Sequence, residues 1–85
     1  MYIDTSAAAK LYFREAGSDA VQRLASERGS LTSAEFLVTE MMSVASRKYA
    51  KKVISRREQM RFEKLFVEHI DNGHWNLLPL NLNDF

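Results

Sequence analysis

The chain has 85 residues, no cysteine, 46% hydrophobic and 27% charged residues, and a formal net charge of +1. That composition supplies one small core and excludes a disordered or low-complexity chain, a disulfide scaffold, a thiol nucleophile and any cysteine-based metal site. No apolar run approaches the ~20 residues of a spanning helix, and the opening Met-Tyr-Ile-Asp lacks the pattern of a secretory signal, so the expectation is a cytoplasmic protein without a membrane partner.

Met1 to Asp4 reads as a short buried strand that ends in an acid and the polar pair Thr5-Ser6. Ser6 then predicts the N-cap of a helix running from Ala7 to Phe13. Gly17-Ser18-Asp19 breaks that run and offers a second cap. Ala20, Val21, Leu24 and Ala25 follow at amphipathic spacing, closed by Arg28-Gly29. Ser30 to Ser33 is a second short strand, and Ala34 opens the strongest helical segment, with Phe36, Leu37, Met41, Val44 and Ala45 on one face. Ser55 predicts the cap of a fourth helix whose inward stripe reads Met60, Leu65, Phe66, Val67 and Ile70, ended by Asn72-Gly73. Trp75 to Leu80 is a third extended run, with Pro79 at a strand end.

The resulting order, β-α-α-β-α-α-β, predicts an α/β fold: a small parallel three-stranded sheet covered by helices, in a single domain over residues 1–85. Asn81 to Phe85 supply cap-type residues for a further helix, which reads as the front part of a larger α/β domain. A thin sheet with an apolar edge also predicts pairing into a homodimer or larger assembly.

Charge is unevenly spread. Residues 47–64 hold eight cations against Glu58 and Glu63, between two acidic flanks. Arg47, Lys48, Lys51, Lys52, Arg56 and Arg57, with Tyr49 among them, are open to two readings. One is a phosphate-neutralising surface for RNA; the other is a solvated connection whose long stems cover apolar neighbours.

Asp4 stands at the end of the first strand, where open parallel sheets gather ligands, but it is also a residue type that caps helices. The Thr5 and Ser6 hydroxyls suit either reading, by capping or by holding a carboxylate in place. Glu40 is embedded in the apolar stretch from Phe36 to Val44; buried, it needs a cation or metal, and otherwise it lies on a polar edge near Ser43 and Arg47. Two carboxylates from separate elements meeting at a strand end would make the hard oxygen site that Mg²⁺ or Mn²⁺ prefers, a site able to polarise a phosphodiester and activate water. His69 and His74 lack zinc spacing and read as surface or capping residues.

Met-Tyr-Ile-Asp-Thr-Ser-Ala-Ala-Ala-Lys-Leu-Tyr at positions 1–12, then Arg14-Glu15, Gly17-Ser18, Thr32-Ser33, Glu40 and Ser43 to Arg47, resemble the PIN domain. The resemblance is strongest to the VapC-type toxins of toxin–antitoxin pairs. It implies a parallel α/β sheet, Mg²⁺- or Mn²⁺-dependent endoribonuclease activity on RNA and a cognate antitoxin. It also implies Asp4 and Glu40 as catalytic metal ligands, with Thr5 and Ser6 close by. Family members carry further acids in a later half, and Asp71 and Asp84 do not stand in the matching context. The alternative expectation is therefore a catalytically inactive PIN-derived binding or oligomerisation module. A small helical nucleic-acid-binding domain is a third.

Overall fold

The structure, a computed structural model, describes residues 2–79. In chain order it forms α1 (Thr5–Tyr12), α2 (Ser18–Arg28), β1 (Leu31–Ala34), α3 (Leu37–Ala50), α4 (Arg56–Asp71) and β2 (Trp75–Leu78). The fold is mixed α/β. β1 and β2 pair in parallel, Leu31 opposite Trp75 through Ala34 opposite Leu78. Parallel neighbours need a long crossover, which α3 and α4 supply together.

The expected three-stranded sheet is reduced to two strands and a single bridge. Tyr2 makes an isolated parallel bridge to Thr32, and the Ile3 N–H donates to the Thr32 carbonyl at 2.7 Å. The cause is local: α1 begins at Thr5, so the chain leaves the extended conformation as soon as Asp4 is passed. Leu31 and Glu35 donate their N–H groups to the carbonyls of His74 and Leu78, whereas the Thr32 carbonyl faces Ile3. Backbone groups alternate sides along a strand, so β1 lies between the Tyr2–Ile3 segment and β2. The expectations for Met1, Leu80 and Asn81 to Phe85 fall outside the described residues.

The helix starts explain the boundaries. Asp4, not Ser6, caps α1: its Oδ1 accepts the Ala7 N–H at 2.8 Å. A carboxylate one residue before the first helical position satisfies an amide that would otherwise lack a partner. α2 follows Gly17, whose φ of +87° favours glycine, and the fully buried Ser18 ties the turn by donating to the Phe13 carbonyl and accepting from Glu15 N–H. Ser55 caps α4 as expected, in a reciprocal pair with Glu58 whose two hydrogen bonds are each 3.0 Å. The bond from the Ser55 backbone, reinforced by its hydroxyl, holds the Glu58 carboxyl below the usual carboxylate range.

The core joins Ile3, Ala8, Ala9 and Phe13 to Leu31, Leu37, Met41, Ala45, Phe62, Phe66 and Trp75. Leu37, Met41 and Ala45 recur every fourth residue and point α3 inward, as Met41 was expected to do. Phe36 does not join them; it precedes the helix and is half exposed. On α4 the buried face is Gln59, Phe62 and Phe66, and Met60, Leu65 and Val67 are exposed. Of the consecutive residues Leu65, Phe66 and Val67 only one can face the core, since neighbours on a helix are about 100° apart. Among the described residues no helix is long and apolar enough to cross a membrane.

Candidate functional site

An open cleft of about 320 Å³ lies at the carboxyl ends of the parallel segments, lined by Tyr2, Asp4, Thr5, Ser6, Ser33, Ala34, Phe36, Leu37 and Glu40. The two carboxylates singled out in the sequence, 36 positions apart, therefore share one cleft. Both are exposed. Asp4 is the cap of α1, and Glu40 sits in the first turn of α3, so each lies where a helix dipole favours negative charge. Asp4 engages Oδ1 with the Ala7 amide, which leaves Oδ2 as a second acceptor. Glu40 finds its partner in neither Ser43 nor Arg47: the Thr5 hydroxyl donates to its Oε1 at 2.9 Å. That bond joins the two acidic elements directly, since Thr5 follows Asp4 in the chain.

The donor set is all oxygen: two carboxylates flanked by the Thr5 and Ser6 hydroxyls. It matches Mg²⁺ or Mn²⁺, which takes one or two carboxylates and completes its shell with water and substrate phosphates. Among the described residues no group of three or more His, Cys, Asp or Glu forms a fuller cage.

The basic block divides into packed and exposed cations. Lys48 is held by Glu15 at 2.6 Å and lies 5.3 Å over the Phe13 ring, so its charge is compensated and its stem packed. Arg56 donates to the Gln59 side chain at 2.7 Å and sits 5.9 Å from the Tyr49 ring. Arg47, Lys51, Lys52 and Arg57 are exposed. Arg47 and Lys51 line a second hollow of about 400 Å³ with Ser6, Ala9, Glu15, Val44, Lys48 and Val53. Ser6 belongs to both walls, so the acidic cleft and the basic hollow adjoin along the seam of α1 and α3. Glu40, Val44 and Arg47 of α3, with Lys51 at its C-cap, recur at helical spacing along that seam.

The histidines carry a signal that their spacing did not reveal. Trp75 Nε1–H donates to the Tyr12 hydroxyl at 2.8 Å, and that hydroxyl lies 2.7 Å from His69 Nδ1. Indole N–H can only donate, so the phenol oxygen accepts it, while the direction of the Tyr12–His69 bond follows the imidazole tautomer. Burial, with the neighbouring His74 ring 5.0 Å away, pushes the His69 pKa down, and burial pushes that of Tyr12 up. These groups border a third hollow, of about 590 Å³, at the opposite ends of the strands. The tie is structural, holding α1, α4 and β2 together. Tyr2 and Phe36 were also missed as lining of the acidic cleft, the first because it was read as a strand residue and the second as a core residue. Comparison of the chain with protein-family models, with curated proteins and with solved structures gives no match.

Proposed function

We propose that the protein is a PIN-like, VapC-type endoribonuclease that cuts RNA with Mg²⁺ or Mn²⁺, Tyr2–Asp4 serving as the first strand of its parallel sheet. The observation that carries this reading is the meeting of Asp4 and Glu40 in one cleft at the carboxyl ends of the strands, joined through Thr5. Asp4 and Glu40 would hold the ion, which when bound supplies polarisation of a phosphodiester and activation of water. The chain's own part is orientation and electrostatics. The Ala7 amide fixes the Asp4 carboxylate, and the Thr5 hydroxyl fixes that of Glu40. Ser6 adds a hydroxyl at the border with the basic hollow, where Arg47 and Lys51 would neutralise neighbouring phosphates. In this reading Lys48 and Arg56 serve packing more than RNA, given their partners within the fold.

A cognate antitoxin and a homo-oligomer belong to the same proposal. A second reading, a catalytically inactive binding module of the same fold, rests on the cleft's having two carboxylates among the described residues. RNA cleavage assayed with Mn²⁺ decides between them. The first reading expects strand scission that is lost in both Asp4→Asn and Glu40→Gln; cleavage unchanged in both variants, or absent from the wild type, contradicts it.

A further inference from the structure

The acidic cleft has a feature that metal chemistry does not require. Two large aromatic side chains, Tyr2 at 61% and Phe36 at 49% exposure, line the same cleft as Asp4 and Glu40. Exposing two rings to water is unfavourable. Ile3, beside Tyr2, is buried, and Leu37, beside Phe36, is buried, so the chain directs the neighbouring aliphatic residue inward at both places and leaves the aromatic in the cleft. The two rings come from different elements, Tyr2 from the bridge to β1 and Phe36 from the N-terminus of α3. Between them the cleft opens next to the hollow bearing Arg47 and Lys51.

We propose that Tyr2 and Phe36 are positioning residues that stack on an unpaired nucleobase of single-stranded RNA, with its backbone passing over Ser6 toward Arg47 and Lys51. The inference rests on the proposed ribonuclease reading and names the side chains of that site that would hold a base. Every nucleobase offers a π-face, whereas an A-form duplex keeps its bases stacked and out of reach, so a pair of exposed rings beside a cationic hollow selects unstacked strands. The cations argue for a nucleic acid occupant over an apolar peptide, because they complement phosphate next to the aromatic pair.

The test is a binding assay that requires neither metal nor cleavage. A hexaribonucleotide carrying one 2-aminopurine is titrated with the full chain in EDTA at about 0.1 M salt, where charge repulsion from the carboxylates is screened beyond ~10 Å. The proposal expects fluorescence quenching on binding. Tyr2→Ala and Phe36→Ala should each weaken binding at least about fivefold and lose most of the quench, Tyr2→Phe should keep both, and a blunt RNA duplex should not compete. Quenching and affinity unchanged in both alanine variants overturn it, as does equal binding of the duplex. It is also overturned if light scattering shows a wild-type dimer that both alanine variants dissociate without altering the quench, which would make the rings an interface between copies. Failure of the ribonuclease reading would appear separately, as absent cleavage in Mn²⁺ with the EDTA binding intact.

Discussion

At its N-terminus α1 offers Asp4 and Thr5 to an open cleft, where the Thr5 hydroxyl donates to the exposed Glu40 carboxylate at 2.9 Å. About 12 Å away, at the other end of the same eight-residue helix, Tyr12 is locked among aromatic rings. It lies edge-on to Phe62 and Phe66 at 5.2 and 5.3 Å, and it accepts from Trp75 while facing His69. The aromatic end gains from burial, ring packing and satisfied polar groups together, each of which favours the folded chain. The acidic end gains little stability from holding two like charges near each other. The contrast separates an end that fixes the helices from one whose carboxylates stay open to solvent.

Substitutions should separate these ends, beginning with the largest effect. Phe66 is fully buried against Tyr12, Phe62 and Trp75, so Phe66→Ala should cost ~3–5 kcal/mol in urea unfolding, a large share of what a small domain possesses. Tyr12→Phe keeps the ring and deletes the hydroxyl that serves both Trp75 and His69; a loss of ~1–3 kcal/mol is expected, with RNA cleavage by the folded fraction unchanged. Either result being near zero would dissolve the distinction between the two ends.

At the acidic end the pattern should invert. Asp4→Ala removes the α1 cap and should cost ~1 kcal/mol, whereas Asp4→Asn retains a capping oxygen and should melt close to the wild type. Both should abolish metal-dependent cleavage. Stability and activity thus part company at one position, which thermal melting and a cleavage assay on the same samples can check.

The smallest effect is a pH dependence confined to the aromatic end. His69 has its folded pKa lowered, by burial first and by the nearby His74 second, with Glu68 acting in the opposite direction. A lowered imidazole pKa means that the unfolded chain binds the proton more readily. The contribution is therefore complete above the ordinary histidine value near 6.5 and is lost as pH falls through the lower folded value. Melting temperature should decline between about pH 7 and 5, and His69→Gln should flatten that decline.

Much of this arrangement was legible in the residues. The α/β class, the cap at Ser55 and the inward Met41 follow from periodicity and cap chemistry, whereas the pairing of residues 4 and 40 was implied by the family resemblance and not by any local pattern. What was not legible depended on tertiary choice. Asp4 and Ser6 are both good caps, and the selection of Asp4 shortens the first strand to a bridge. Consecutive apolar residues such as Leu65-Phe66-Val67 do not reveal which one turns inward. The Thr5 to Glu40 and Tyr12 to His69 bonds span 35 and 57 positions, a separation that no local pattern encodes. The hydroxyl's capacity to hold a carboxylate was visible at Thr5; which carboxylate it holds was not.

The central claim is that Asp4 and Glu40 act jointly on one divalent cation. Mn²⁺ titration calorimetry on the wild type, Asp4→Asn and Glu40→Gln tests it most directly, because it needs no RNA and each variant removes one charge from an exposed position. The account predicts saturable binding to the wild type that disappears in both single variants with their melting temperatures preserved; binding that persists unchanged in the two variants contradicts it.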